Sequence, residues 1–219
     1  EQLTFEACED MFLQSNVRIL ELRYAPSFLL DAHPTMDADR MLEAILRGMA
    51  RAEAAYPMVV GLIGLLQRIK SVKDNAYWCD WILEHKAHFV GMDLADDEVS
   101  YPAYPFATLF QKAKNQGLGI TVHAGEPHVP GAAKNILIAL DELGADRIGH
   151  GVQAIHDAGV VARLAKDGVP LELCPWSNVL TRAVLDLKSH PFKRLMDAGV
   201  RTTLNTDDPG VMDITLTQE

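Results

Sequence analysis

The stretch Thr121-Val122-His123-Ala124-Gly125-Glu126-Pro127 (TVHAGEP, 121–127) decides how the rest of this chain is read. A run ending at Thr121 and Val122 has the character of a buried strand, and His123, Gly125 and Glu126 follow where strand gives way to loop. Barrel enzymes keep their chemistry at such strand ends. His123 is a candidate metal ligand, Gly125 lets the backbone turn sharply, and Glu126 can fold back over whatever His123 holds. Alone, the segment also fits a core histidine satisfied by a hydrogen bond, so its surroundings must decide.

On its amino side, residues 3–16 read as a helix and VRILELRYAP (17–26) as a β-rich run ended by Pro26. Leu42, Ile45, Leu46 and Met49 fall at the spacing of a helix stripe lying on a sheet. YPMVVGLIGLL (56–66) is apolar on both faces, as a buried parallel strand should be. Ser71 caps a helix running through Trp78 and Trp81 to about His88, and HFVGMDLADDE (88–98) is a strand with acids at its carboxyl end. Pro102 and Pro105 open a helix with Phe106, Leu109, Phe110 and Ala113 on one stripe, which leads into GLGITVHAGE (117–126).

On the carboxyl side, Ile136, Leu140 and Leu143 mark a helix closed at Gly144, and DRIGHG (146–151) is a short strand ending in His150. Residues 154–166 form a helix closed at Gly168, followed by the strand VPLELCPWSN (169–178), the helix SHPFKRLMDAG (189–199) and the strand VRTTLNTDDPG (200–210). Seven strands separated by helices, with no hairpin signal, mean a parallel sheet in the α/β class. The pattern predicts a TIM-type (β/α)8 barrel with about seven of its eight β/α units in residues 1–219, a single domain incomplete at both ends. A doubly wound open sheet is the rival, but GxGxxG is absent and polar residues sit at nearly every strand's carboxyl end.

Composition removes several function classes. Net charge is −10, and no Lys/Arg cluster is long enough to track a phosphate backbone, which argues against nucleic acid. The longest apolar run, Met58 to Leu66, is too short to span a bilayer. Cys8, Cys79 and Cys174 are odd in number and widely spaced, which argues against disulfides and CxxC zinc sites and suits a reducing, cytoplasmic compartment. The chain opens at Glu1 in a helical stretch, so a targeting segment is not readable from it.

The strand ends collect Asp93, Asp96, Asp97 and Glu98, then His123 and Glu126, then His150, Ser177 and Asn178, and finally Asp207 and Asp208. In a barrel these converge on one mouth. Imidazole and carboxylate together suit zinc, and a neighbouring glutamate and second histidine supply proton transfer. The plainer readings are a turn for Asp207 and Asp208 before Pro209, a largely solvated loop for Asp93 to Glu98, and packing for His150 between Gly149 and Gly151. Trp176 reads as a lid or supporting residue. His33, His85, His88, His128, His156 and His190 read as surface or capping residues.

TVHAGE (121–126), RIGHG (147–151), LCPWSN (173–178) and LNTDDP (204–209), in this order on successive strands, resemble the adenosine deaminase family. The resemblance implies a (β/α)8 barrel holding one zinc and hydrolytic deamination of adenosine or 2′-deoxyadenosine, a small purine nucleoside. It implies metal-ligand roles for His123 and Asp207. Glu126 resembles the acid that protonates the purine ring nitrogen beside the amine-bearing carbon. His150 resembles the residue that orients and deprotonates the zinc-bound water, and Asp208 the carboxylate on the purine's imidazole side. Asp96 and Gly125 are expected on the substrate side.

Two departures qualify it. The family's His-x-His pair is absent, and HKAH (85–88) has the wrong spacing. The expectation is therefore that two further zinc histidines lie upstream of Glu1, and that the isolated segment binds metal poorly and is inactive. At LADDE (94–98) the family usually has LAGDE, so Asp96 replaces a glycine whose amide donates to the purine. Free adenine or a modified adenosine is the alternative substrate, and a non-catalytic binding relative the alternative class. The cysteine spacing excludes a cytidine-type PCxxC deaminase.

Overall fold

Seven strands and the helices between them account for the architecture of the computed structural model, which describes residues 1–219. In chain order they are α1 (Gln2–Ser15), β1 (Ile19–Tyr24), α2 (Pro26–Ala32), α3 (Ala38–Ala55), β2 (Val59–Gln67), α4 (Val72–Glu84) and β3 (Gly91–Ala95). There follow α5 (Ala107–Asn115), β4 (Gly119–Ala124), α6 (Ala132–Asp141), β5 (Arg147–His150), α7 (Ala158–Asp167) and β6 (Leu171–Leu173). The last elements are α8 (Pro175–Leu180), α9 (Phe192–Asp197), β7 (Thr202–Leu204) and α10 (Pro209–Met212). All neighbouring strands pair in parallel, in the order β1 to β7.

Local chemistry sets the helix ends. Asp37 accepts from the Arg40 N–H at the start of α3, Ser71 from Asp74 N–H at α4, and Asp157 from Gly159 and Val160 N–H at α7. Each bond satisfies an amide that the helix itself leaves unpaired. Helices α3, α5 and α6 bury Leu42 and Met49, Leu109 and Phe110, and Ile136 respectively, closing a core outside the sheet.

The inner face of the sheet is charged. Strand register places Glu21 and Arg23 of β1, Asp93 of β3, Thr121 and His123 of β4, Arg147 and Gly149 of β5 and Glu172 of β6 on one face. Arg23 Nε donates to Asp93 at 2.7 Å and its Nη2 to Glu172 at 2.6 Å, while Arg147 reaches Glu21 at 2.7 Å and Glu172 at 3.2 Å. In a flat sheet β1 and β6, five strand spacings apart, would lie about 24 Å from each other. A 2.6 Å bond between them requires the sheet to curl into a barrel wall, which rules out the open-sheet alternative.

β1 and β7 are the two edges of this curl, and their side chains are correspondingly more exposed than those of β3 or β6. Several boundaries differ from those expected. Pro26 opens α2 instead of merely ending a strand, because its fixed φ and missing N–H suit a first helical turn. The long strand expected over 169–178 is only Leu171–Leu173. Pro175 starts α8, so Trp176, Ser177 and Asn178 stand on a helix above the strand end.

Candidate active site

His123 lies on β4 with its ring pointing inward, and its environment fixes the tautomer. Both Asp93 oxygens face Nδ1, at 3.1 and 3.0 Å, and Arg23 holds the same carboxylate from the other side. Burial works against the Asp93 charge, but the facing His123 and Arg23 outweigh it and hold the carboxyl well below the usual carboxylate range. Burial likewise opposes a His123 cation, yet Asp93 raises its pKa on balance. With Nδ1–H donating to Asp93, the Nε2 lone pair is left for a metal, an arrangement common among metal-bound histidines. Gly149 makes room for the ring: a Cβ there would stand 3.1 Å from His123 Nδ1 and 3.2 Å from Cγ.

His150 ends β5 with a left-handed backbone, φ 58°, and Asp207 after β7 has φ 60°. Two of the six non-glycine residues in this conformation thus belong to the site. Such strain is held in place by the surrounding structure and concentrates where side chains must be aimed. Ligand atoms of His123, His150 and Asp207 all lie within 4.8 Å of one another. Ser177 Oγ donates to Asp207 at 2.7 Å. Burial opposes the Asp207 charge, but His150, that hydrogen bond and His123 leave its pKa lowered.

A chain of hydrogen bonds assigns the proton on His150. Burial lowers the pKa of His190 to about 4, so its ring is neutral near pH 7. Its Nδ1 accepts from Phe192 N–H at 3.2 Å, so Nε2 carries the proton and donates to Asn178 Oδ1 at 3.2 Å. Asn178 Nδ2 then faces His150 Nδ1 at 3.1 Å and Glu126 Oε1 at 3.4 Å. His150 Nδ1 is therefore the acceptor and Nε2 the protonated nitrogen in the neutral ring. That Nε2 lies 3.6 Å from both Glu126 Oε2 and Asp207 Oδ2. The donor set could hold a metal through His123 Nε2 and Asp207, with His150 beside them.

Glu126 is fixed through both backbone and side chain. Glu98, a buried carboxylate, accepts from Gly125 N–H at 2.6 Å, Glu126 N–H at 3.2 Å and Asn135 Nδ2 at 2.7 Å. Gln153, also buried, donates through Nε2 to the Glu126 carbonyl at 3.1 Å and the Ala183 carbonyl at 2.7 Å. Thr181 Oγ1 donates to Glu126 Oε1 at 3.0 Å. The acid-rich stretch 93–98 is thus not the solvated loop expected of it: Asp93 and Glu98 are buried, and only Asp96 and Asp97 are exposed. Gly125 has φ 70° and its N–H is taken by Glu98, so its contribution is the turn itself.

Asp208 borders Asp207 at the mouth, and partial desolvation followed by the Asp207 charge raises its pKa. Asp96 stands apart on the loop after β3. Trp176 is half-buried over α10, its indole donating to the Met212 carbonyl at 3.3 Å. His190 is a capping residue as expected, but it also belongs to the Asn178 network. Sequence reasoning did not single out Arg23, Glu172, Gln153 or Thr181, which come from four separate segments and carry no local motif.

The family model for adenosine deaminase matches residues 1–219. The chain belongs to the adenosine deaminase family. It is 38% identical over 205 residues to an adenosine deaminase of Shewanella loihica, covering 94% of this chain and 61% of the relative. Among solved structures, an adenine deaminase from Arthrobacter aurescens superposes with a TM-score of 0.90 at 30% identity, covering 98% of this chain and 64% of that one. An amidohydrolase from Burkholderia ambifaria with bound Zn gives a TM-score of 0.89 at 25% identity, covering 99% and 59%. The curled seven-stranded wall is therefore the TIM-type architecture of family members, and the chain spans about three fifths of the length of the relatives it matches.

Proposed function

We propose that this chain carries the catalytic half of a zinc-dependent hydrolase that deaminates adenosine or 2′-deoxyadenosine to the corresponding inosine and ammonia. The observation that carries the reading is the Glu126 carboxylate, fixed by Glu98, Gln153 and Thr181, beside His150 and Asp207 and opening on the same mouth as His123. His123 Nε2 and the Asp207 carboxylate would hold the zinc, which supplies Lewis-acid activation of the attacking water.

The remaining work falls to side chains. Glu126 delivers a proton to the ring nitrogen beside the amine-bearing carbon, which makes that carbon electrophilic. For this Glu126 must first be protonated, and its partly exposed carboxylate takes that proton from solvent at the mouth, with His150 Nε2–H 3.6 Å away as a hydrogen-bonding neighbour. His150 keeps its Nε2 proton and orients the nucleophile through it, while the water's proton passes to the Asp207 carboxylate, 3.6 Å from the same nitrogen, and from there to the departing amine. Asp208, whose pKa is raised, retains a proton more readily than an ordinary aspartate and can donate to the acceptor nitrogen of the purine's imidazole ring. Water adds, ammonia leaves, and the ring carbon keeps the oxygen.

A second substrate, free adenine, has two specific supports. Asp96 occupies the position where the family usually has glycine, and one superposable relative is an adenine deaminase. The test is ammonia release by the zinc-loaded full-length protein from adenosine and adenine in parallel. Release from adenosine, abolished in Glu126→Gln, is the expected result. Release from adenine alone reassigns the substrate, and no release from either overturns both assignments and leaves a modified adenosine or a non-catalytic role.

A further inference from the structure

β3 and β4 run together for only two residue pairs, Gly91 with Gly119 and Met92 with Ile120, whereas β2 pairs with β3 over five and β4 with β5 over four. Beyond that point the two strands continue to the site, one carrying Asp93 and the other His123. The guanidinium of Arg68, just past the end of β2, spans this break in the ladder. Its Nη2 donates to the Leu94 carbonyl on β3 at 3.3 Å and to the His123 carbonyl on β4 at 2.5 Å. Nη1 donates to the Tyr101 carbonyl at 3.4 Å, in the loop after β3. Arg68 is 1% exposed and is the largest of the fully buried side chains.

Packing alone does not favour this arrangement. Burying a guanidinium is costly, and one of its N–H groups, at Nε, has no partner. Glu98, Asp93, Asp96 and Asp97 surround it with compensating charge, and the first two of these also hold Glu126 and His123. The fork geometry matters, because Nη2 takes the carbonyls of both strands while Nη1 reaches the Tyr101 carbonyl, three anchors that the one nitrogen of an ammonium cannot hold together.

We propose that Arg68 is a positioning residue for His123: its buried guanidinium bridges the parted ends of β3 and β4 and holds the His123 main chain where Nε2 can ligate the metal. The proposal rests on the reading of His123 as a metal ligand, while Asp93 fixes the ring and Arg68 fixes the backbone that bears it. Partners one step removed from a metal typically matter 10- to 100-fold in affinity.

The experiment compares wild type, Arg68→Lys and His123→Ala as full-length proteins. It measures zinc affinity by chelator competition, the visible spectrum of the cobalt-substituted protein, and thermal unfolding of the metal-free form. The expected result is about 10-fold or more weaker zinc binding in Arg68→Lys, with a shifted cobalt spectrum and a fold that remains cooperative. Arg68→Gln, which keeps one reaching donor, is the second variant and is expected to behave likewise. Unchanged zinc affinity and cobalt spectrum in a folded Arg68 variant would overturn the proposal. Failure of both variants to fold would also overturn it, since the role would then be stability alone. If His123→Ala binds zinc as wild type does, the site reading itself is wrong and the inference falls with it. If His123→Ala loses zinc and Arg68→Lys does not, only the role of Arg68 fails.

Discussion

Gly149→Ala isolates the geometry of His123 from its chemistry. Gly149 sits beside His123 in the β4–β5 register, and a Cβ there would lie 3.1 Å from Nδ1, 3.2 Å from Cγ and 3.3 Å from Cα. Comfortable carbon contacts begin at about 3.5 Å, so the ring or strand must give by roughly 0.3 to 0.4 Å. The ring cannot yield freely, because both Asp93 oxygens hold its Nδ1. Overpacking of this kind costs roughly 1–3 kcal/mol, and replacing glycine returns about 0.4–1 kcal/mol through the unfolded chain. The net loss of stability should therefore be about 1 kcal/mol. The displaced Nε2 should weaken zinc binding about tenfold, or roughly 1.4 kcal/mol. Chelator competition and urea unfolding of the full-length protein measure both terms. Wild-type zinc affinity in Gly149→Ala, at any stability, would refute the argument that this glycine exists to seat the histidine ring.

Other consequences can be checked separately. Glu98→Gln puts an amide N–H against a main-chain N–H of the Gly125–Glu126 turn, so kcat should fall at least tenfold with zinc affinity unchanged; a parallel loss of zinc would show that Glu98 acts on the metal instead. Asp96→Gly removes a side chain from a left-handed backbone at φ 81° and should raise stability by up to about 1 kcal/mol, with the adenosine KM no worse; a lower unfolding midpoint would contradict the strain. His190 gives a pH signature. Its folded pKa is depressed to about 4 against 6.5, so the unfolded chain takes up the proton first and stability is lost as pH falls from 6.5 toward 4. Between pH 7 and 5 this group contributes a loss of at most about 2 kcal/mol, reduced by solvent screening of the half-buried ring, which His190→Gln should remove; an unchanged pH slope in that variant would exclude it.

Local pattern in the sequence carries the class of fold and names the residues that gather at the strand ends. Period and punctuation are local: apolar runs, a capping serine at 71 and the glycines at 144 and 168 mark alternating strands and helices without reference to the rest of the molecule. The ordered motifs likewise named His123, Glu126, His150 and Asp207, and the structure brings those four together. What holds them in place is visible only in three dimensions. Arg23 meets Glu172 across 149 residues of chain, Arg68 reaches His123 across 55, and Thr181 reaches Glu126 across 55. Such partnerships depend on the curl of the sheet, which no local pattern encodes. The burial of Asp93 and Glu98 was hidden for the same reason. Within LADDE a buried and an exposed carboxylate look alike in sequence, and only the approach of β4 and α6 makes Glu98 an acceptor for Gly125, Glu126 and Asn135.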